Sequence, residues 1–248
     1  MLGKIRMVVG VLLMFPMLLL SMVYSLLPVS LLRLVKLNKA ADKWLHACAR
    51  FTSNYLLLVF GVTIRVSGME QYPKEAKRIC FVSNHQSNLD IPVLFGKANL
   101  FAGVITKSEL KKVPILNWWC AEMHCIYIDR HSPRSSIQAI LGGVQQVKSG
   151  HPVLIFPEGT RSKDGNVAEF KAGSFHLATK SDAVIVPYAI SGTREAFEKR
   201  TKWHVTAYLS MCKPVDVSAL TDEEKKQVHT VVENEVRQRH DTLVKTNG

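Results

Sequence analysis

Acidic residues and cysteines are both scarce in this chain, and paired cysteines at Cys-x-x-Cys spacing are missing altogether. Asp and Glu number 20 against 32 Lys and Arg, for a formal net charge of +12 over 248 residues. That imbalance fits anionic partners: phospholipid headgroups, phosphorylated substrates, coenzyme A, an acidic carrier protein or nucleic acid. Nucleic acid is disfavoured by a second absence, since no zinc-finger spacing, RNA-binding aromatic motif or helix-turn-helix pattern occurs. The five cysteines, Cys48, Cys80, Cys120, Cys125 and Cys212, are odd in number. With no Cys-x-x-Cys among them, they fit a reducing compartment best. Cys120, His124 and Cys125 lie close in sequence, but a structural zinc site wants four ligands in paired spacing. No metal is therefore expected, and no nucleotide motif points to a resident cofactor. The serine-hydrolase elbow Gly-x-Ser-x-Gly is absent too: Ala172-Gly173-Ser174-Phe175-His176 lacks its second glycine.

Charge is absent from Met7 to Leu32. A helix of that length would reach about 39 Å, more than the ~30 Å of a bilayer's hydrocarbon core. Pro16 and Pro28 interrupt the run, which argues against one straight spanning helix. The run is too long for the apolar core of a signal peptide. Lys4 and Arg6 precede it; Arg33, Lys36, Lys39 and Lys43 follow. Positive charge at both ends and a basic domain beyond place that domain on the cytoplasmic face, at the inner or plasma membrane in a bacterium. A second helix is predicted over about 40–60, with Trp44, Cys48, Phe51, Tyr55 and Val59 as its apolar stripe.

What the chain does contain is two polar motifs, each following an apolar strand-like run. Ile79-Cys80-Phe81-Val82 leads to Asn84-His85-Gln86-Ser87-Asn88-Leu89-Asp90, and Ile91-Pro92-Val93 then opens a helix. A His and an Asp five positions apart thus stand where a strand ends and a helix begins, the place where open α/β folds bind ligands. A carboxylate on one imidazole nitrogen fixes the tautomer and leaves the other free to accept a proton. His85 reads as a general base and Asp90 as its orienter. Val153-Leu154-Ile155 leads to Phe156-Pro157-Glu158-Gly159-Thr160-Arg161-Ser162. A glycine, two hydroxyls and an arginine at a second strand end suit an anion site. Arg161 is its best cation, and Glu158 is placed to orient it or to bind substrate oxygens.

This ordered pair resembles the signature of the glycerolipid acyltransferases, and within them the 1-acylglycerol-3-phosphate (lysophosphatidate) acyltransferases. The resemblance covers roughly residues 61–211. It implies transfer of a fatty acyl group from acyl-CoA or an acyl carrier protein to the sn-2 hydroxyl of lysophosphatidate, giving phosphatidate. It adds Arg130, after Tyr127-Ile128-Asp129, and Lys107, before Ser108-Glu109-Leu110, to a phosphate pocket with Arg161. It sets Glu158, Gly159 and Thr160 beside the substrate. Acceptors such as glycerol 3-phosphate or another lyso-phospholipid, and a non-catalytic lipid-binding role, are the alternatives. Relatives acting on glycerol 3-phosphate tend to carry Glu-Gly-Gly-Arg, so Thr160 favours lysophosphatidate. Tyr188 stands where the family usually has Val. The resemblance also implies an N-terminal helical pair that holds the protein on a leaflet of anionic lipid.

Further strands are predicted at 62–66, 100–106, 126–128, 183–190 and 203–210, with Pro187 marking an edge strand or a bulge. A helix is predicted over 135–149, its apolar face formed by Ile137, Ile140, Leu141, Val144 and Val147. Thr221-Asp222-Glu223-Glu224 is a capping box opening a last, polar helix. Alternating strands and helices predict an α/β fold with a mostly parallel or mixed central sheet flanked by helices. The expected organisation is a membrane-associating two-helix segment at 1–60 and an acyltransferase domain at 61–248.

Overall fold

A computed structural model of the chain describes residues 2–129, 131–199 and 202–247. In chain order its strands are β1 (Val62–Ser67), β2 (Ile79–Ser83), β3 (Gly103–Lys107), β4 (Ile126–Ile128), β5 (Val153–Ile155), β6 (Val184–Ser191), β7 (Val205–Met211) and β8 (Val215–Asp216). Its α-helices are α1 (Leu2–Ser21), α2 (Leu27–Leu34), α3 (Asn38–Val59), α4 (Asp90–Val93), α5 (Pro114–Glu122), α6 (Pro133–Lys148), α7 (His176–Ser181), α8 (Thr193–Ala196) and α9 (Asp222–Asn247). The chain divides into two interleaved units. One comprises Met1–Val66, Ser87–Phe101 and Gly192–Tyr208; the other comprises Ser67–Gln86, Ala102–Ser191 and Leu209–Gly248.

In the first unit α1 and α2 form one helix from Leu2 to Leu34, long and apolar enough to cross a membrane. Pro16 is absorbed inside α1, and ahead of Pro28 the helix widens to a π turn at Met22–Leu26. The reason lies in what proline lacks. Pro28 has no N–H to return to Tyr24 four residues back, and its ring crowds that carbonyl. The Tyr24 carbonyl accepts instead from Trp44 Nε1 at 2.9 Å and from Cys48 Sγ at 3.6 Å, both on α3. The helix thus continues past both prolines, widened at a π turn ahead of Pro28, where α3 supplies the missing donor. Gly10 lets α1 approach the end of α3, where a Cβ would lie 2.7 Å from the Phe60 ring. The buried face of α3 is Ala41, Leu45, Cys48, Ala49, Thr52 and Ser53. Trp44 and Phe51, predicted for that stripe, are 45% and 58% exposed. Leu57 and Val59 are buried on the same helix, so the two bulky rings turn outward from a face of mostly smaller side chains.

The second unit is α/β, and its sheet is central. β2 pairs in parallel with β5 on one side and β6 on the other; β3 pairs in parallel with β5 and with β4; β8 lies antiparallel against the start of β6. All five residues of β2 are buried, as a strand flanked on both sides should be. Pro187 is not at an edge. It pairs with Val82 of β2, and its carbonyl accepts from Cys212 N–H at 2.9 Å.

Helix α6 opens with Ser132, whose hydroxyl accepts from Ser135 N–H. Its buried face is Ala139, Gly143, Val144 and Val147, whereas Ile137 and Leu141 are exposed. Cys120, His124 and Cys125 close the end of α5: His124 takes φ 55° and Cys125 N–H returns to Cys120 O at 2.7 Å. Helix α9 begins at the expected capping box, with Thr221 N–H on Glu224 Oε2 at 2.8 Å and Glu224 N–H on Thr221 Oγ1 at 3.3 Å. Val228, Val232 and Val236, spaced one turn apart, join the core formed by Val82, Ile155 and Ile185.

Candidate active site

Parallel pairing of β2, β3, β4, β5 and β6 brings their C-terminal ends to one sheet edge, the ligand edge of such sheets. β2 delivers residues 84–86 there, and β5 delivers Phe156 to Arg161. β3 ends in exposed Lys107, paired with Ile128 at the end of β4. Arg130 lies outside the described residues.

The main chain of His85 ties the two motif loops together. His85 N–H donates to Glu158 Oε1 at 2.9 Å, and His85 O accepts from Ser162 N–H at 2.8 Å. The second bond leaves Arg161 one residue from the strand of chain that carries His85. The imidazole stacks on Phe156, with ring centres 4.0 Å apart and planes 17° apart, so its plane is fixed and one face is covered. Glu158 is 4% exposed; a carboxylate so deep needs donors, and His85 N–H is one. Asn84 is buried beside it. Its Nδ2 donates to Ile190 O and its Oδ1 accepts from Ile190 N–H, both at 2.9 Å. The amide thus imitates one more ladder rung between β2 and β6.

Past Glu158 the chain turns sharply. Gly159 has φ +72°, and a Cβ there would meet Lys171 Nζ at 2.9 Å. The turn therefore needs glycine, and it sets the Lys171 ammonium against the Gly-Thr-Arg segment. Thr160 and Arg161 are exposed. Beyond them Ser162 Oγ donates to Asp164 Oδ1 at 3.0 Å, and Asp164 Oδ1 accepts from Asn166 N–H at 2.9 Å. Asn166 N–H, then the Asn166 amide and the Ser162 hydroxyl, hold the Asp164 carboxyl down at about 2. Ionised Asp164 locks the loop that follows the arginine.

Asp90, five residues after His85, belongs to the first unit. It is fully buried. Its Oδ2 accepts from Ser87 N–H at 2.9 Å and its Oδ1 from the Thr193 hydroxyl at 2.6 Å. Asn88 N–H donates to Glu198 Oε1 at 3.2 Å. Thr193, Phe156 and the grip of Ser162 on His85 escape a reading of the sequence. Thr193 left one signal: Ser191-Gly192-Thr193 is, like the first motif, a small polar run where a strand gives way to a helix. Among the described residues no group of three His, Cys, Asp or Glu side chains is placed to hold a metal ion.

A family model described as Acyltransferase matches residues 63–191, just over half the chain. The chain is similar to the chloroplastic 1-acyl-sn-glycerol-3-phosphate acyltransferase of Arabidopsis thaliana, 34% identical over 151 residues, covering 61% of this chain and 42% of that one. It is 27% identical over 204 residues to the 1-acyl-sn-glycerol-3-phosphate acyltransferase of Borreliella burgdorferi, covering 80% of this chain and 78% of that one. The chain thus spans about two fifths of the plant relative and over three quarters of the bacterial one. The crystal structure of the 1-acyl-sn-glycerophosphate acyltransferase PlsC from Thermotoga maritima superposes with a TM-score of 0.80 at 27% identity, covering 98% of both chains.

Proposed function

The chain belongs to the acyltransferase family, and on that premise we propose that it moves a fatty acyl group from a thioester to the sn-2 hydroxyl of 1-acylglycerol 3-phosphate, giving phosphatidate. The observation that carries this reading is the pair of bonds that the His85 main chain makes to the Glu158–Ser162 loop, one to the Glu158 carboxylate and one from Ser162 N–H. They bring His85 and the segment carrying Arg161 side by side, which supports a proton acceptor working next to a phosphate-binding arginine. The names of the relatives, which specify that acceptor, support the same choice.

An alcohol is a poor nucleophile until its proton leaves. In the proposed step His85 accepts that proton as the sn-2 oxygen attacks the thioester carbonyl, a contribution of about 10²–10⁴-fold in rate. Asp90 is assigned to hold the imidazole and stabilise the imidazolium. The tetrahedral adduct collapses, the carbon–sulfur bond breaks, and the departing thiolate takes the proton back from His85. Substrate alcohol replaces the serine of a Ser-His-Asp triad, so no acyl-enzyme forms. Arg161, with Lys171, Lys107 and Arg130, is assigned to the acceptor phosphate, where a guanidinium can make two parallel bonds. The donor carrier is coenzyme A or an acyl carrier protein, and no resident cofactor or metal takes part. The apolar helix Leu2–Leu34 supports membrane association, with the catalytic residues assigned to the cytoplasmic face beside anionic lipid.

The test is thiol release by purified protein given lysophosphatidate and an acyl thioester, with coenzyme A and carrier-protein donors run in parallel. Wild type releases thiol and forms phosphatidate, and His85→Ala falls by at least about 10²-fold. Release that survives in His85→Ala rejects the base assignment. Equal turnover of an acceptor without the phosphomonoester rejects the acceptor.

A further inference from the structure

Helix α9 carries a polar ladder that packing does not explain. Its buried stripe is Val228, Val232 and Val236, and one turn further the same stripe carries His240, only 2% exposed, before Leu243 returns to the core. An apolar side chain at 240 would leave the stripe unbroken. The imidazole instead meets the Gln86 amide, Nε2 to Nε2 at 3.0 Å, and the same amide nitrogen donates to Gly165 O at 2.8 Å. Because an amide nitrogen only donates, His240 Nε2 is the acceptor. Beside this contact, Arg237 Nη1 donates to Val167 O at 2.6 Å, and Glu233 Oε2 accepts from Phe170 N–H at 2.7 Å. Arg237 and Glu233 also pair with each other at 2.7 Å. Glu233, Arg237 and His240 are four and three residues apart, on one face of the helix. The positions they reach run the other way along the loop: 170, then 167, then 165 through Gln86.

We propose that α9 is the positioning element of the acceptor-binding loop, with Glu233, Arg237 and His240 holding the segment that begins at Arg161 in register with His85. The inference rests on the acyl-transfer reading above. Its logic is that the loop has two anchors. At its start, Ser162 N–H is fixed to His85 O. At its far side are the three grips from α9, one of which acts through Gln86, the residue next to His85. A loop tied at both sides to the base and to a long helix keeps its arginine in one place before substrate arrives, which is how positioning residues contribute to binding. These three residues act through the loop and are not themselves assigned to touch substrate.

The experiment compares wild type with Arg237→Met, which keeps the apolar stem and removes the donors, with Arg237→Lys and with His240→Gln. Two readouts are taken on the full chain in lipid vesicles: hydrogen exchange in peptides covering residues 158–166, and steady-state kinetics with lysophosphatidate varied. Arg237→Met is expected to speed exchange in that segment at least tenfold. It should raise the acceptor KM about tenfold while kcat stays within about threefold and the thioester KM is unchanged. Arg237→Lys, which can still donate to Val167 O, should recover most of both effects, and His240→Gln should move the same two quantities in the same direction. Unchanged exchange in residues 158–166 overturns the proposal, as does a loss carried by kcat alone with no change in acceptor KM. If wild type transfers no acyl group, the acyl-transfer reading falls, and the exchange result by itself still decides whether α9 fixes the loop.

Discussion

The Thr193 hydroxyl donates to Asp90 Oδ1 at 2.6 Å, with both residues completely buried. Removing one partner of a buried hydrogen bond leaves the other unsatisfied, at a cost of about 1–3 kcal/mol. Thr193→Val keeps the shape and removes the donor. It should lower kcat by about tenfold or more and cost ~1–3 kcal/mol of stability, whereas Thr193→Ser should restore most of both. Thiol-release kinetics and thermal unfolding, measured together, check this. A fall in stability with kcat untouched would assign Thr193 to the fold alone.

Gly159 turns with φ +72° under the Lys171 ammonium. An alanine there suffers the left-handed backbone cost of about 1–2 kcal/mol and pushes Lys171 aside. Gly159→Ala is therefore expected to destabilise the chain by that amount and to raise the acceptor KM several-fold. Chemical denaturation and a lysophosphatidate titration measure the two effects separately. Lys171→Met should reproduce the KM effect without the stability loss.

The parts of this protein that are legible in its sequence are those fixed by short-range chemistry. The strand before each motif, the capping box at Thr221 and the alternation of strands and helices follow from local patterns. The burial of helix faces does not. Trp44, Phe51, Ile137 and Leu141 are apolar at helical spacing, yet they are exposed, because the faces that pack are those of Leu45, Ala49 and Thr52 on α3 and of Ala139, Gly143 and Val147 on α6. Pro187 reads as an edge signal, but its carbonyl still pairs while its missing N–H leaves the register with β2 intact. Thr193 and His240 could not be found from spacing. Each lies more than a hundred residues from its partner, Asp90 or Gln86, a separation that no local pattern spans.

The contact between Trp44 and the carbonyl beside Pro28 predicts a coupling. Trp44→Phe removes the 2.9 Å donor from Tyr24 O and should cost about 1 kcal/mol. Pro28→Ala supplies an N–H that can return to that carbonyl within the helix. In the Pro28→Ala background the Trp44→Phe change should then cost less, leaving a coupling of about 0.5–1 kcal/mol in a double-mutant cycle. Unfolding followed in lipid or detergent measures the four corners. Strict additivity would mean that the indole does not stand in for the helical bond.

Glu233 makes the last prediction one of pH. Burial pushes its carboxyl up, but Phe170 N–H and the Arg237 guanidinium together outweigh that and hold it below the usual carboxylate range. A carboxyl whose pKa is lower folded than unfolded stabilises the chain above its unfolded pKa, and that stabilisation disappears as pH falls through the folded pKa. Its loss belongs to the acid side, from about pH 5 downward, and not to neutral pH. Glu233→Gln should accordingly be less stable than wild type at pH 7, with the gap narrowing as pH falls towards 3. Thermal unfolding of the two proteins across that range traces the difference. A gap that stays constant to the acid end would show that the charge of Glu233 contributes nothing, and that its grip on Phe170 is that of a neutral acceptor.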